Sequence, residues 1–122
     1  MPPIGRIKIA TNWKDKDETF TLLQQWAQQD EHWDVRQVAV QELAKGWKDE
    51  SWILEFLCDR ATNDLFQRQK DWEGNPRLTA LEAIIKQYPN HPQTLILLRD
   101  RAKNDLDEQA RKFANKKLKQ LE

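Results

Sequence analysis

The sequence repeats itself at a period that limits how it can fold. Trp13-Lys14-Asp15 recurs as Trp47-Lys48-Asp49, 34 residues later. Three further positions keep the same offset, pairing Leu23 with Leu57, Ala27 with Ala61, and Asp30 with Asp64. A unit of this length holds two helices and a turn. One such hairpin cannot bury its own apolar stripe, so successive units are expected to pack side by side around a continuous core.

A third copy follows the second at an offset of 41 residues, which reveals an insertion. Asn63-Asp64-Leu65 recurs as Asn104-Asp105-Leu106, Leu57 recurs as Leu98, and Tyr88 takes the place of Trp47. The longer offset is accommodated between Asp64 and Pro76, so residues 65–75 are predicted to form an inserted loop. Insertions of this kind usually map to loops, which often carry binding contacts.

Composition and periodicity both indicate helices. The 122 residues include three glycines, too few for the turns of an all-β fold. Apolar residues recur at helical spacing, as in Val35, Ala39 and Leu43. The predicted helices span residues 18–29, 33–46, 50–63, 76–87, 93–104 and 106–120. The expected fold is all-α, a short right-handed α-α solenoid of about three hairpins.

The chain is predicted to be one domain spanning residues 1–122, built from successive repeats. Its segments are a truncated N-terminal helix in 1–12, a first repeat in 13–46, a second in 47–87 with its insertion at 65–75, and a third with a C-terminal cap in 88–122.

An acidic residue between the two helices of each unit is followed by an arginine in the second helix. The pairs are Asp30 with Arg36, Asp64 with Arg77 across the insertion, and Asp105 with Arg111. The tetratricopeptide pattern, which shares the 34-residue period, does not fit these copies. The Asp and Arg pattern resembles the HEAT repeat. The resemblance implies that these six residues form a structural ladder of hydrogen bonds along the stack.

The segment 33–44, followed by Trp47-Lys48-Asp49, is similar to the C-terminal HEAT arrays of bacterial, especially cyanobacterial, NACHT-type NTPase proteins. The resemblance implies a sensor or scaffold role. It does not carry ATP hydrolysis over to this sequence, because no G-x-x-x-x-G-K-[ST] motif occurs in it.

Chemistry-bearing residues are few and scattered. Cys58 is the single cysteine, and His32 and His91 are the two histidines. Cys58 occupies the place of Gln24 and Arg99 in the other copies, which favours an ordinary thiol. We therefore expect no catalytic site, no metal and no cofactor, and the protein is predicted not to be an enzyme.

Charge and the N-terminal sequence indicate the environment. The chain carries 20 basic and 20 acidic residues, a balance that disfavours nucleic acid as a partner. No export signal or long apolar run is present in the sequence, so we expect a cytoplasmic protein without membrane association.

Polar residues on the second helix of each unit, away from its apolar stripe, are the candidate partner-binding surface. In HEAT solenoids this face is typically concave and exposed. The candidates are Gln37, Gln41, Lys45, Glu82, Lys86, Lys112 and Lys116, together with Trp72 of the insertion. Trp72 either anchors a partner or folds back over the adjacent helices. Trp13, Trp47 and Tyr88 recur and are expected to wedge between repeats.

The sequence thus favours a protein-interaction scaffold whose partner it does not identify. A nucleic-acid-binding module and a HEAT-like pigment lyase or chaperone are the alternatives. An array this short is also a candidate for end-to-end homo-oligomers, which would cover a terminal repeat face.

Overall fold

The computed structural model describes residues 17–121, and the regular structure in that range is entirely α-helical. The helices are α1 (Asp17–Gln29), α2 (Trp33–Gly46), α3 (Ile53–Asn63), α4 (Pro76–Gln87), α5 (Pro92–Asn104) and α6 (Glu108–Leu121). The predicted all-α class is confirmed. The helix predicted in 1–12 and the wedge at Trp13 lie outside the described residues. Of the helices between residues 17 and 121, none is long and apolar enough to cross a membrane.

Two helices begin later than the sequence suggested, since local turns precede them. α3 starts at Ile53 rather than at residue 50, and the Ile53 N–H donates to the Glu50 carbonyl across that turn. α6 starts at Glu108 rather than at residue 106, because the N–H of Asp107 is bonded to the Asp105 carboxylate, 2.8 Å away.

The helices pack as three successive hairpins, α1 with α2, α3 with α4, and α5 with α6. Further contacts join α2 to α3, α2 to α4, and α4 to α5. The second helices of the first two hairpins therefore lie side by side. Each hairpin falls within one of the three predicted repeats.

A single apolar cluster joins the hairpins. Its fully buried members include Leu23 of α1, Leu43 of α2, Leu57 of α3, Ile84 of α4 and Leu98 of α5. Burying each such side chain stabilises the fold by about 1.5–3 kcal/mol. The buried cluster thus includes the three leucines that align between the repeats, Leu23, Leu57 and Leu98.

Helix starts in the second half of the chain combine a capping side chain with proline. The Asn75 side chain accepts the N–H of Arg77 at 2.9 Å, and Pro76 begins α4. His91 Nδ1 accepts the N–H of Gln93 at 3.1 Å, and Pro92 begins α5. Proline suits the first helical position because its missing N–H would have no partner in the helix.

Arginines of the second helices bind the aspartates of the following hairpin. Arg36 donates from Nε and Nη2 to both carboxylate oxygens of Asp64, at 2.8 and 3.1 Å. Arg77 makes the same pair of bonds to Asp105, both at 3.0 Å. All four side chains are at most 10% exposed. Two buried, bidentate ion pairs of the same geometry therefore link the three hairpins.

The Nη1 atom of each of these arginines, and of Arg111, donates to a backbone carbonyl of its own hairpin. Nη1 of Arg36 binds the carbonyl of Asp30, Nη1 of Arg77 that of Asp64, and Nη1 of Arg111 that of Asp105, at 2.8, 2.7 and 2.6 Å. The aspartate Oδ1 atoms also accept the N–H two residues ahead, which fixes each turn. One arginine thus ties together two turns.

Candidate functional site

The second helices α2, α4 and α6 border an open groove of about 690 Å³. We call it the second-helix groove. It brings together five of the predicted partner-binding residues, Gln37, Gln41, Lys45, Glu82 and Lys86. These five come from two different hairpins, so the packing of α2 against α4 creates the surface.

Helix α6 faces the groove with different residues from those the sequence suggested. Phe113 and Lys117 line it, whereas Lys112 and Lys116 do not. Lys112 is 75% exposed and pairs with Glu108 one turn earlier at 2.9 Å. Since burial of Ala110 and Ala114 sets the rotation of α6, the groove side lies one residue beyond the predicted positions. The sequence signal for them is the apolar Phe113, which follows Ala110 by three residues and so borders the buried stripe.

The lining of the groove combines apolar, neutral polar and basic side chains. Its small and apolar lining residues are Ala44, Ala83, Ile85 and Phe113. Among its lining residues, Lys45, Lys86 and Lys117 face a single acidic side chain, Glu82. The Lys117 ammonium also lies over the Phe113 ring, 5.6 Å from the centroid. The groove therefore favours an occupant that is negatively charged and partly apolar.

Two contacts lie on the side of the groove that α2 and α4 form. Gln87 donates from Nε2 to the carbonyl of Ala44 at 2.9 Å, which ties α4 to α2. Gly74 of the insertion lies against the Gln37 amide, where a Cβ would overlap that side chain. The absence of a side chain at residue 74 thus allows the insertion to approach α2.

The insertion is a structured loop held by one arginine, which the repeat pattern did not reveal. Arg68 binds both carboxylate oxygens of Asp107, at 3.0 and 2.9 Å. Its Nη1 donates to the carbonyls of Lys70, Asp71 and Glu73. The loop therefore closes around a guanidinium anchored to the third hairpin.

Trp72 lies on this loop and remains 72% exposed, although its ring is 6.3 Å from that of Trp33. It touches the adjacent helix without being covered by it. Trp72 therefore lies on the insertion loop and does not line the second-helix groove. The predicted site residues are thus divided among the groove, the insertion loop and, for Lys112 and Lys116, the exposed side of α6.

The Arg68 and Asp107 pair gives a prediction about acid. Burial opposes ionisation, yet the hydrogen bonds from Arg68 and Asn75 hold the pKa of Asp107 below its ordinary value. The stabilisation is fully present above the unfolded-state pKa of about 3.9, and is lost as pH falls through the lowered folded-state pKa. Asp107→Asn should therefore lower the free energy of unfolding at neutral pH and weaken its decline in acid. Urea denaturation across that pH range measures both effects.

Asp71→Asn is the matched control for this prediction, since Asp71 is exposed on the same loop and Arg68 contacts its backbone carbonyl rather than its carboxylate. Its free energy of unfolding, and the decline of that free energy in acid, should match those of the wild type. An Asp107→Asn variant with the full acid sensitivity of the wild type would contradict the assignment.

The side-chain donors that a metal site needs are not assembled in this range. Between residues 17 and 121, no cluster of three or more His, Cys, Asp or Glu side chains could hold a metal ion. Cys58 is half-buried, and burial, followed by the nearby Glu55, raises the pKa of its thiol. A raised pKa lowers the thiolate fraction and with it the nucleophilicity.

Comparison of the chain with models of known protein families, with curated proteins and with solved structures finds no match. The residues themselves are therefore the basis for any functional proposal.

Proposed function

We propose that this protein is a non-catalytic protein-interaction scaffold, a short right-handed HEAT-like solenoid that binds a partner in its second-helix groove. The HEAT-like assignment rests on the shared geometry of the rungs made by Arg36 and Arg77. Each rung joins one hairpin to the next through the same donors, as a ladder along a stack requires. The role as a sensor or scaffold, as in NACHT-associated arrays, is part of this proposal.

The observation that carries the binding role is the composition of the groove. Three lysines, one glutamate and four small or apolar residues converge there from three helices. In the described part of the chain, Lys45, Lys86 and Lys117 form no ion pair. Unpaired cations beside exposed apolar surface suit a partner segment that carries carboxylates and apolar side chains on one face.

Peptide display against the purified chain tests this function. We expect the selected peptides to be net acidic and to contain apolar residues. Lys45→Glu/Lys86→Glu should weaken their binding by at least tenfold, because two attractions become repulsions. Fluorescence anisotropy of the labelled peptides measures the change.

Lys48→Glu/Lys103→Glu is the matched control, since it changes net charge equally at exposed positions that do not line the groove. It should leave the affinity within about twofold of the wild type. Peptides bound equally well by all three proteins would contradict a role for the groove, and circular dichroism checks that helix content is unchanged.

A nucleic-acid-binding module is the second candidate, because the same lysines would attract phosphates. It predicts binding of a short DNA or RNA duplex that weakens steeply as salt is raised. The apolar lining residues and the glutamate in the groove favour a protein partner instead. Duplex binding at low salt that Lys45→Glu/Lys86→Glu abolishes would reverse this preference.

A further inference from the structure

A second surface lies at the edge of the molecule where the α1–α2 turn meets the insertion. We call it the turn-edge patch, and define it by Glu31, Trp33, Leu65, Trp72 and Glu73. Leu65 is 86% and Trp72 72% exposed, the first and third most exposed of the large hydrophobic side chains in the described range. Neither side chain is buried in the core, so the fold does not account for them.

The patch borders a cavity of about 590 Å³ with aromatic walls. Trp33, Leu65 and Phe66 line it, and the Trp33 and Phe66 rings meet edge to face with centroids 6.2 Å apart. Trp72 packs beside Trp33 and extends this aromatic surface outward. Aromatic faces of this kind attract cations as well as apolar groups. Phe66 already shows this, since the Arg68 guanidinium lies 5.4 Å from its ring centroid.

Charge at the cavity is acidic. Glu31 and Glu73 line it, with four glutamines around them, Gln28, Gln29, Gln67 and Gln69. Arg36 is the single cation in the lining, and its Nε, Nη1 and Nη2 are all bonded, to Asp64 and to the carbonyl of Asp30. The one cation in the lining is therefore held by other partners, while Lys70 and Arg68, which lower the pKa of Glu73, lie outside the lining.

Glu73 is both fixed and ionised. Its Oε1 accepts the N–H groups of Gln69 and Lys70, at 2.6 and 2.9 Å. These two bonds hold the pKa of Glu73 below its ordinary value. Because Arg68 also clamps the loop from within, Trp72 and Glu73 are presented in one arrangement, which reduces the entropy lost on binding.

We propose that the turn-edge patch docks an arginine-containing segment of a partner protein. The guanidinium lies against the Trp33 face and bonds to Glu31 and Glu73, and an apolar neighbour covers Leu65 and Trp72. Arginine fits better than lysine, since its planar group both stacks on aromatic rings and pairs with carboxylates. Nucleic acid and anionic membranes are disfavoured here by the same carboxylates. This site is separate from the groove, so either proposal can fail without the other.

A defined peptide with the sequence Gly-Leu-Arg-Leu-Arg-Gly serves as the probe. We expect it to shift the indole N–H resonances of Trp33 and Trp72 and to bind with a measurable Kd. Replacing both of its arginines by citrulline, which keeps the shape and removes the charge, should weaken binding at least tenfold. A peptide with glutamate in place of arginine should not bind.

Two variants of the protein locate the site. Glu31→Gln/Glu73→Gln removes both charges while Gln at 73 keeps an oxygen for the loop N–H groups, and should raise the Kd at least tenfold. Trp72→Ala should raise it about fivefold or more through lost contact area. The matched control, Glu50→Gln/Glu55→Gln, removes two exposed charges elsewhere and should leave the Kd unchanged.

Several results would overturn the proposal. These are equal affinity for the citrulline peptide, no binding up to millimolar peptide, or a Kd that neither patch variant changes. A Kd that changes in the groove variant Lys45→Glu/Lys86→Glu, with both patch variants unaffected, would assign the peptide to the groove and also exclude the patch.

Discussion

Arg77→Met is expected to lower the free energy of unfolding by about 3–5 kcal/mol, a large part of the stability of a small domain. Arg77 is 4% and its partner Asp105 1% exposed. The substitution leaves a buried carboxylate with its two best donors removed. It also releases the carbonyls of Asp64 and Phe66, which Nη1 of Arg77 contacts. Urea denaturation monitored by circular dichroism measures the loss.

The same position of the third hairpin supplies the control. Within the described residues the Arg111 side chain makes one hydrogen bond, to the Asp105 carbonyl. Arg111→Met should therefore cost only about 1.5 kcal/mol. Adding Asp105→Leu to Arg77→Met should recover part of the loss, because it removes a buried carboxylate whose remaining charged partner is Arg101 at 3.3 Å. Equal losses in the two single variants would show that the bidentate pair contributes nothing beyond the backbone contact.

Leu57→Ala is expected to destabilise the protein by about 2–5 kcal/mol. Leu57 is fully buried in the cluster that joins the hairpins, so truncation removes apolar contacts and leaves a cavity. The effect should appear as a lower denaturation midpoint with an unchanged slope, because the fold and the surface exposed on unfolding stay the same.

Leu65→Ala makes the identical chemical change at an 86% exposed position. Its stability should stay within about 0.5 kcal/mol of the wild type. A comparable loss at both leucines would mean that Leu65 is covered in solution, and would place it inside an interface rather than on an open surface.

The helices could be predicted from the sequence because the repeats supply several copies of the same apolar positions and helix starts. Leu23, Leu57 and Leu98 align in the sequence and all three are fully buried. The helix starts predicted from Pro76 and from the short polar turns agree with the structure to within a few residues. The side of α2 and α4 that lines the groove also followed from the apolar stripe, since burying one face of a helix exposes the other.

Features without a repeated counterpart were missed. Arg68 and Asp107 lie 39 residues apart, and no copy of either recurs to suggest the pair. The rotation of α6 depends on which of its apolar residues contact the core, and the buried ones are Ala110 and Ala114. Trp72 was singled out by its place in the insertion, but its contact with Trp33 depends on how the loop folds.

The bidentate ion pairs from Arg36 to Asp64 and from Arg77 to Asp105 bear on how such a chain can change length. Both bidentate pairs span 28 residues, although the second hairpin carries the insertion and the first does not. The insertion lengthens only the backbone link, where Arg77 reaches the Asp64 carbonyl 13 residues away instead of the 6 that separate Arg36 from Asp30. A segment spliced between the aspartate and the arginine is thus looped out of the hairpin junction. New recognition loops could be grafted at this turn in any hairpin without changing its register.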